Sequence, residues 1–565
     1  MSASPTTARQ APRASDATPP AFRGVFRDDA AARAVYAEAA GIGRAVPRGV
    51  AVPGDPDDAA ALVAWAAATG TPLVPRGSGS SMSGGAIGDG VIVDTSRLAT
   101  LGAVQVETRR VWAQVGVLGA AVDAVARTHG LRFPVDPSSW RFCTVGGMAA
   151  CNAAGAHSLR HGAMRPWVEA LHCVFADGTR AAVRRGAPLP DVPAMRRLQD
   201  EVLPRVRAAR DAGVPLARGV RKDSSGYALA AWAESGDPVD LLVGSEGTLA
   251  VFTAVQLSLA PVPGSTASVL GAFGSLEQAV EAATRARDGG ASACELLDRT
   301  FLEVAAEGGA WRRGAGTEAV LLAEVEGADE ETARDAAQAL RRTFLDAGAR
   351  EVTVALSAHA ERALWELRHA ASPILARLDP ALKSMQFVED GAVPPGRLAE
   401  YVRGVRAALD RQGIRGVIFG HAGDAHVHVN PLVDVRAPDW RARVEALLEE
   451  VTTLAASLGG TLAGEHGDGR LRTPLLARTW APEAQALFAA VKAAADPAGL
   501  LNPGVKVPLA GQRPVGDVKY DPALPPLPTA ARRALDHVAE RRAYDAFRLA
   551  LLDEGIGPEH ARGGA

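Results

Sequence analysis

The fold of this chain is decided by one stretch, Pro75-Arg76-Gly77-Ser78-Gly79-Ser80-Ser81-Met82-Ser83-Gly84-Gly85. Four glycines and four serines in eleven residues leave little side-chain bulk. The backbone can therefore approach a ligand closely and turn several N–H groups toward one point, which suits a pyrophosphate. Apolar runs at residues 72–74 and 91–93 flank the stretch and predict a strand–loop–strand unit. A flexible Gly/Ser surface loop is the alternative interpretation.

Two better-known phosphate loops do not match this spacing. Gly79 and Gly84 have the separation of a Walker loop, but Gly85 stands where that loop needs lysine. No helical pattern follows directly, as a Rossmann fingerprint requires. The stretch therefore belongs to another type of nucleotide loop.

Composition narrows the class of protein. A chain of 565 residues is too long for one core and predicts two or three domains. A net charge of −3 argues against a nucleic-acid-binding protein. No apolar run reaches the length of a membrane span and no hydrophobic signal core begins the chain, so a cytoplasmic location is expected. The four cysteines form no CxxC pair, which disfavours a disulfide scaffold or an iron–sulfur cluster.

Strand and helix signals alternate through the first half of the chain. Asp55 and Pro56 predict a helix start and Gly70 its end, and residues 251–259 predict a strand. Two more stretches of small residues accompany them, residues 134–155 and 244–249. Such stretches let a backbone approach a flat or charged ligand, but they also mark tight helix–sheet packing.

Three histidines within eight residues carry the clearest chemical signal. His421, His426 and His428 lie in a segment that follows the buried-strand pattern of residues 417–419. In a strand His426, His428 and Asn430 share one face, and a turn at residues 423–424 could return His421 toward His428. With a carboxylate from elsewhere, for which Glu465 is the candidate, two such histidines would make a divalent-metal site with open positions. Histidines satisfied by core hydrogen bonds are the alternative.

Taken together, these motifs resemble those of FAD-dependent oxidoreductases with a vanillyl-alcohol-oxidase (PCMH-type) flavin domain. They are most similar to the FAD-linked D-2-hydroxy acid dehydrogenases, which act on D-lactate or D-2-hydroxyglutarate. The resemblance covers roughly residues 25–508 and implies an α+β fold. A two-part FAD-binding domain would be joined by an α/β cap domain with a single antiparallel sheet covered by helices on one face. The expected division is a disordered tail (1–22), an FAD-binding domain (23–263), a cap with the metal site (264–495), a return to the FAD domain (496–508), and a Pro-rich linker with a C-terminal helix near 530–552 (509–565).

The resemblance also implies which residues contact FAD. They come from the glycine loop, from the two later stretches of small residues, and from a segment near residue 502. The set is Pro75, Arg76, Gly77, Ser78, Gly79, Ser80, Ser81, Gly84, Gly85, Pro137, Ser138, Thr144, Gly146, Gly147, Ala149, Asn152, Gly155, His161, Glu246, Gly247, Val251 and Asn502.

For the metal, the resemblance implies His421, His428 and Glu465 as ligands, with Zn²⁺ the expected ion and another divalent metal as the alternative. His466 corresponds to the catalytic base of the family. Relatives often have asparagine where His426 stands, so we expect His426 to contact the ring or the substrate.

Substrate contacts are implied for five side chains. A 2-hydroxy acid needs cationic partners, because an unpaired buried charge is costly. Arg368 matches the family's substrate arginine, and Lys383 matches a lysine of the hydroxyglutarate-type enzymes. Ser372, one helical turn after Arg368, could bind the same group. The set is Arg368, Ser372, Lys383, Asn430 and His426.

The resulting hypothesis is oxidation of a D-2-hydroxy acid to the 2-oxo acid by hydride transfer to FAD, with metal-assisted deprotonation of the hydroxyl. Arg368 and Lys383 together favour D-2-hydroxyglutarate over D-lactate, because they suit a second carboxylate. Electrons would pass to a quinone, an electron-transfer protein or a separate iron–sulfur protein, and the first of these suggests peripheral association with a membrane. The C-terminal helix is a candidate dimer element. The alternatives are a non-redox transferase resembling alkyl-dihydroxyacetonephosphate synthase, a non-catalytic flavin subunit, and an oxygen-using oxidase.

Overall fold

The computed structural model describes residues 23–307, 316–369 and 381–553. The expected disordered tail at residues 1–22 lies outside them. The chain begins with a small mixed sheet in which the strand order is β1-β2-β4-β3. Its strands are β1 (Val25–Arg27), β2 (Gly49–Val52), β3 (Leu73–Arg76) and β4 (Val91–Asp94). Strands β3 and β4 are parallel neighbours, so the predicted strand–loop–strand unit around the glycine loop is confirmed.

The first predicted helix is confirmed with its caps. It spans Pro56–Thr69, and the carboxylate of Asp55 accepts from the N–H groups of Asp57 and Asp58. Gly70 ends it with φ of 67°, a left-handed conformation that glycine adopts without strain. This helix packs beneath the first sheet through Leu62 and Val63.

A second, antiparallel sheet completes the FAD half, with strand order β5-β9-β7-β8. Its strands are β5 (Arg110–Gln114), β7 (Val168–Val174), β8 (Arg180–Arg184) and β9 (Val251–Ser258), and a short pair joins β6 (Leu131–Arg132) to β10 (Ala260–Pro261). The helices around both sheets are Ala30–Val35, Gly119–Arg127, Val145–Cys151, Ser158–His161, Pro193–Arg197, Leu203–Asp211, Leu229–Ser235 and Pro238–Leu242, with a 3₁₀ turn at Arg165–Trp167 and a π segment at Leu198–Val202.

The second half contains the predicted single antiparallel sheet, in the order β14-β11-β13-β12-β17-β18-β15. Every neighbouring pair along that order is antiparallel. The strands are β11 (Ser265–Phe273), β12 (Ala293–Asp298), β13 (Ala319–Gly327), β14 (Ala349–Ala355), β15 (Leu382–Ser384), β16 (Gly391–Ala392, paired with β18), β17 (Arg415–Gly420) and β18 (His426–Asp434).

Helices cover both faces of this sheet, so the expectation of one covered face is wrong. Alternate residues of β18, such as Val427 and Val429, enter a large core with four long helices: Leu276–Asp288, Glu330–Asp346, Leu398–Arg411 and Trp440–Ser457. Two more helices, Arg299–Glu307 and Ala358–His369, pack against the other face through residues such as Phe301 and Leu367. That second face is the one from which His426 and His428 project.

The end of the chain returns to the FAD half. Leu501 forms a parallel bridge with Leu73 of β3, so the first sheet receives a residue that follows it by more than 400 positions. Before this return lie the helices Gly469–Arg472, Leu476–Thr479 and Pro482–Ala495, with 3₁₀ turns elsewhere at Pro395–Arg397, Ala422–Asp424 and Thr473–Leu475.

The predicted single C-terminal helix is instead two helices, Thr529–Arg541 and Ala550–Asp553. Arg542 between them has φ of 54°, which interrupts the helix. Ala531, Ala534 and Leu549 pack against the first sheet, where Val50 and Ile92 lie. In the described chain this segment is therefore docked on the FAD half; its role as a dimer element stays a prediction, as do the predicted domain boundaries.

Candidate active site

Three predicted metal ligands meet in one cluster. Nε2 of His421 and Nε2 of His428 are 3.4 Å apart, and Oε1 of Glu465 lies 3.4 Å from the first and 3.3 Å from the second. Donors about 2.0–2.1 Å from a tetrahedral ion are separated by about 3.3 Å, so this triangle has the size of three tetrahedral zinc ligands. All three side chains are buried.

Outer partners fix both rings so that Nε2 faces the cluster. Nδ1 of His421 lies 2.6 Å from Oε1 of Glu295, and Nδ1 of His428 lies 3.0 Å from the carbonyl oxygen of Glu389. Metal-binding histidines characteristically donate their other N–H to a carboxylate or a carbonyl in this way. Burial lowers the pKa of His428 to about 4, so its imidazole is neutral at neutral pH, the state that can bind a metal.

The local backbone explains why these residues meet. A 3₁₀ turn at Ala422–Asp424 reverses the chain between β17 and β18, and Ala425 takes a left-handed φ of 53°. His421, at the end of β17, is thereby returned next to His428, and their ring centroids lie 5.3 Å apart. The predicted turn and the shared strand face of His426 and His428 are both confirmed.

His466, the predicted base, lies beside the triangle. Its Nε2 is 3.5 Å from Oε1 of Glu465, and its Nδ1 is 3.1 Å from Oε1 of Glu389. Burial opposes its charge, but the neighbouring carboxylates of Asp390 and Glu389 raise the pKa of His466 to about 9. The ring remains partly exposed, unlike the ligand histidines, so a small molecule can reach it.

The charges around the cluster favour a bound cation. Four buried carboxylates face it from the residues Glu295, Glu389, Asp390 and Glu465. Three fixed cations pair with them: Arg368 with Glu295 at 2.6 Å, Arg472 with Asp390 at 2.9 Å, and Lys222 with Glu465 at 2.7 Å. One carboxylate is thus in excess of the lysine and arginine cations, a charge that protonated His466 or a bound metal ion would balance.

Lys222 is a functional residue that the sequence did not reveal. It is buried, and its amine donates to Oε2 of Glu465 and to the carbonyl of Gly155. Lys222 therefore occupies one carboxylate oxygen of Glu465 and leaves Oε1 for the histidine triangle. Because it lies 243 residues from Glu465, no local spacing could have connected the two.

The remaining predicted substrate residues separate into two groups. His426 is fully buried and its Nε2 lies 2.8 Å from Oδ1 of Asp390; Asn430 follows two residues after His428 on the same face. Arg368 belongs to this group, since Nε of Arg368 binds Glu295 and its guanidinium lies 4.7 Å from the ring centroid of Phe419. Ser372 lies outside the described residues.

Lys383 is not part of this group. It pairs with Val433 across β15 and β18, five residues beyond His428, and its amine lies 5.9 Å from the ring centroid of Tyr520. The pairing of Arg368 with Lys383 that favoured D-2-hydroxyglutarate thus has no geometric support. A separation along the chain does not determine the face of the sheet, and Lys383 pairs with Val433, which lies on the face opposite His428.

The predicted FAD segments converge around the glycine loop. Gly79 and Gly84 have φ of 75° and 80°, and a Cβ on Gly77 would lie 2.3 Å from Oγ1 of Thr144. Thr144 begins the helix Val145–Cys151, which contains the predicted residues Gly146, Gly147 and Ala149. The loop and the second stretch are therefore in direct contact.

The third stretch and the return segment complete the same region. Glu246 accepts from the N–H groups of Asp468 and Gly469 at 2.7 and 3.0 Å. Asn502 donates to the carbonyls of Gly85 and Glu246 at 3.0 and 2.7 Å. A cluster of three distant segments thus holds the glycine loop in place, with Lys506, another buried residue that the sequence did not single out, 2.9 Å from Glu246.

The remaining residues predicted to contact FAD lie in or beside the same segments. Asn152 ends the helix with φ of 52°, and Gly155 lies against Asp136 in the loop that contains Pro137 and Ser138. Pro75 contacts Gly247, and Val251 begins β9 beside Leu501. Ser78 donates to Ser80.

Two predicted FAD residues have other partners in the structure. The guanidinium of Arg76 donates to the carbonyls of Tyr36, Glu38 and Ala86 and so lies beneath the loop. His161 lies 2.9 Å from Arg132 and 3.6 Å from Glu326 of β13, at the contact between the two halves.

Two unpaired buried hydroxyl groups give separate support for a dinucleotide site around the glycine loop. The hydroxyl groups of Ser81 and Ser245 are buried and have no hydrogen-bond partner among the described residues. Buried polar groups are rarely left unpaired, so these hydroxyls are suited to bind a polar ligand. Ser81 belongs to the predicted glycine loop, and Ser245 lies next to Glu246 in the third predicted stretch.

Three buried carboxylates near the triangle, those of Glu295, Glu389 and Asp390, were not predicted from the sequence. Glu389 and Asp390 lie between apolar residues in Val388-Glu389-Asp390, a pattern that also fits a solvent-exposed turn. The structure buries both, and Oδ2 of Asp390 accepts from the N–H of His466 at 2.9 Å. Glu295, by contrast, stands in a strand of apolar residues, a placement that could have marked it as functional.

Two family models match the chain. Residues 47–184 match an FAD-binding domain, and residues 262–505 match the C-terminal domain of FAD-linked oxidases. No helix in the described residues combines the length and apolar character that crossing a membrane requires.

Similar curated proteins include three oxidoreductases. A D-lactate dehydrogenase of Archaeoglobus fulgidus is 31% identical, with 80% of this chain and 90% of the relative covered. A glycolate oxidase subunit GlcD of Bacillus subtilis is 29% identical, covering 85% and 93%. A D-2-hydroxyglutarate dehydrogenase of Pseudomonas putida is 28% identical over 95% of this chain, which spans 55% of that longer protein.

Solved structures share the fold at lower identity. A 4-ethylphenol oxidase from Gulosibacter chungangensis has a TM-score of 0.64 at 16% identity, covering 85% of this chain and 94% of the other. An alkyldihydroxyacetonephosphate synthase has a TM-score of 0.57 at 16% identity, covering 85% and 82%. These likenesses show the fold alone, and the predicted vanillyl-alcohol-oxidase-type α+β fold is confirmed.

Proposed function

This chain belongs to the family of FAD-linked oxidases, and we propose that it oxidises a D-2-hydroxy acid to the corresponding 2-oxo acid. As an FAD-linked oxidoreductase it uses FAD, which when bound supplies the acceptor for the hydride that leaves C2 of the substrate. The observation that carries the proposal is the triangle of His421, His428 and Glu465, with His466 beside it.

A divalent metal fits the three donors, and zinc suits their number, type and spacing best. Held there by His421, His428 and Glu465, it would supply a Lewis acid that lowers the pKa of a substrate hydroxyl. The neutral imidazole of His428, the surrounding carboxylates and the outer partners of both histidines support this site.

His466 is proposed to take the hydroxyl proton once a divalent cation is bound, because that positive charge would offset the carboxylates that raise the pKa of His466 in the metal-free chain. Its Nδ1 is held by Glu389, so its Nε2 is the atom directed to the same space as Oε1 of Glu465. A general base must be within hydrogen-bond reach of the proton that it removes, and a substrate beside the triangle would meet that condition.

Arg368 is proposed to bind the carboxylate of the substrate. It lies on the same side of the sheet as the triangle and is connected to His421 through Glu295. A guanidinium can bind a carboxylate through two parallel hydrogen bonds, which also orients C2. Asn430 and His426 would line the same space.

The identity of the acid is open between D-lactate and D-2-hydroxyglutarate, since the argument from Lys383 has no support. Electrons would leave FAD for a separate acceptor: a quinone, an electron-transfer protein or an iron–sulfur protein. All four cysteines lie in described residues, and each is a free thiol, which supports an acceptor outside this chain.

The test is anaerobic absorbance of the purified, FAD-loaded protein. It is mixed in turn with D-lactate, D-2-hydroxyglutarate, their L isomers and glycolate, and zinc is measured in the same sample. Bleaching of the flavin band by one D-acid, together with one metal per chain, is the expected result. If none of these acids bleaches the band, the dehydrogenase proposal fails and a non-redox transferase becomes the better hypothesis. If reduced flavin is reoxidised rapidly by air with release of hydrogen peroxide, the enzyme is an oxidase.

A further inference from the structure

A cavity of about 320 Å³ lies between the C-terminal segment, residues 509–553, and the first sheet of the FAD half. Its walls come from three parts of the chain. Arg76 stands at the end of β3, Lys383 on the edge strand β15 of the cap sheet, and Lys519, Arg532 and Arg548 on the C-terminal segment. Its volume is within the range of small-molecule sites.

This cavity is separate from the predicted FAD contacts. Apart from Arg76, none of its described lining residues belongs to the predicted FAD-binding set. The glycine loop faces Thr144 through Gly77, whereas the carbonyl of Gly79 accepts from Ala40, next to the cavity residues Glu38 and Ala39. The loop therefore divides the FAD region from the cavity.

The walls carry more positive than negative charge. Five cationic side chains line the cavity against two carboxylates, those of Glu38 and Asp536. Both carboxylates are already paired: Glu38 with Arg44 and Arg532, and Asp536 with Arg532. Among the residues that the structure describes, no carboxylate forms an ion pair with the other four cations of the wall, Arg76, Lys383, Lys519 and Arg548.

Arg548 is a buried cation of the cavity wall whose guanidinium is only partly hydrogen-bonded. It is only 3% exposed, and its Nη atoms donate to the carbonyls of Ser78, Ala543 and Ala546. Its Nε has no hydrogen-bond partner in the described chain, and neither does Nε of Arg532. A buried guanidinium N–H without a partner is costly, and an anion bound to the same guanidinium would offset part of that cost.

We propose that this cavity binds a phosphate-bearing small molecule of about nucleotide size. A phosphate carries up to two negative charges and several acceptor oxygens, which matches an excess of guanidinium and ammonium groups better than a monocarboxylate does. The rings of Tyr520 and Tyr544 on the same wall offer surfaces for the organic part of the ligand.

The electrostatics of the cavity wall agree with this assignment. Burial and the nearby charge of Arg548 lower the pKa of Arg76 to about 10. Burial likewise lowers the pKa of Arg548 and of Lys519. Each cation is therefore held at a cost that a bound anion would relieve.

The test is calorimetric titration of the FAD-loaded full chain with AMP and with inorganic phosphate, at constant ionic strength. Adenosine serves as the uncharged control ligand, and flavin absorbance is recorded throughout. We expect saturable binding of AMP without loss of flavin, and weaker binding of phosphate. Arg548→Gln should weaken AMP binding by at least about tenfold, since it removes a positive charge and its charge-assisted hydrogen bonds.

Two further variants make the result decisive. Lys383→Gln removes a charge from the opposite wall and should also weaken AMP binding, even if Arg548→Gln disturbs the C-terminal segment. Arg533→Gln removes an exposed charge from the helix Thr529–Arg541, outside the cavity, and should leave AMP binding unchanged. Absence of saturable binding at millimolar AMP, equal loss in Arg533→Gln, or release of flavin in step with AMP binding would each overturn the proposal.

Discussion

Replacing Glu295 by glutamine is expected to weaken metal binding while leaving the three ligands in place. Glu295 is fully buried and accepts from Nδ1 of His421 at 2.6 Å. Glutamine keeps the size of the side chain and can still accept, but it removes the negative charge that makes His421 a better donor to a cation.

The magnitude follows from the distance. With a metal–nitrogen bond of about 2.1 Å, the ion would lie roughly 7 Å from the Glu295 carboxylate. At an effective dielectric constant of about 20, the attraction between charges of −1 and +2 at that distance is about 5 kcal/mol, an upper bound. Arg368 already neutralises part of it through Oε2 of Glu295, so we expect the loss typical of outer partners, about 10- to 100-fold in affinity.

Zinc affinity is measured by competition with a chromogenic chelator, after the purified protein has been stripped with EDTA. The matched control is Glu324→Gln. Glu324 lies on the same sheet face and also binds a histidine, Nε2 of His157 at 2.9 Å, but its hydrogen bonds go to His157 and Ser292 and not to the triangle. Zinc affinity within about twofold of the unmodified chain in Glu295→Gln, or an equal loss in Glu324→Gln, would refute the reasoning.

Four more predictions concern the base, the buried pair, the glycine loop and the contact between the halves. His466→Ala should retain FAD and metal but abolish flavin reduction by substrate; retained turnover would remove His466 as base. Lys222→Met should lower the unfolding free energy of the metal-free protein by about 3–5 kcal/mol, because the Glu465 carboxylate is left buried without its partner. A loss below about 1 kcal/mol would show that Glu465 finds another cation. Gly77→Ala should lower the flavin content of the purified protein, since its Cβ would lie 2.3 Å from Oγ1 of Thr144; Gly516→Ala, which meets no atom within 4 Å, should not. Burial opposes the charge of His157, but Asp136 and Glu324 raise its pKa well above its usual value. The stabilisation from protonated His157 is therefore complete below the pKa that this group has in the unfolded chain, and it is lost as pH rises through the higher pKa of the folded chain. His157→Gln should thus lower the free energy of unfolding more at pH 6 than at pH 10. Equal losses at both values would contradict it.

The features that the sequence predicts correctly are local ones. The helix Pro56–Thr69 has its cap signals at both ends, and the triad of His421, His426 and His428 lies within one hairpin. Residue types and short spacings are sufficient for such features, because turn geometry and strand alternation are properties of a few neighbouring residues.

The sequence does not predict the role of a residue when that role depends on partners far along the chain. Lys222 and Glu295 reach the triangle through tertiary contacts, and single residues of these types are usually exposed. Lys383 shows the opposite error. Lys383 was predicted to bind substrate from its separation from Arg368 along the chain. In the fold, β15 directs its side chain toward Tyr520 instead of toward the triangle. The second covered face of the cap sheet was missed for the same reason, since helix length does not tell on which side of a sheet a helix packs.

The parallel bridge between Leu73 and Leu501 has a consequence for biosynthesis. At about 5–20 residues per second, the ribosome needs roughly 20–90 s to travel from the first of these residues to the second. During that interval the nascent first sheet lacks its neighbour at β3, and the glycine loop lacks Asn502, which anchors Gly85. FAD therefore binds late, after the segment that contains Asn502 has been synthesised. Until the segment with Leu501 pairs with β3, the edge of β3 is exposed, and chaperones can bind such an edge.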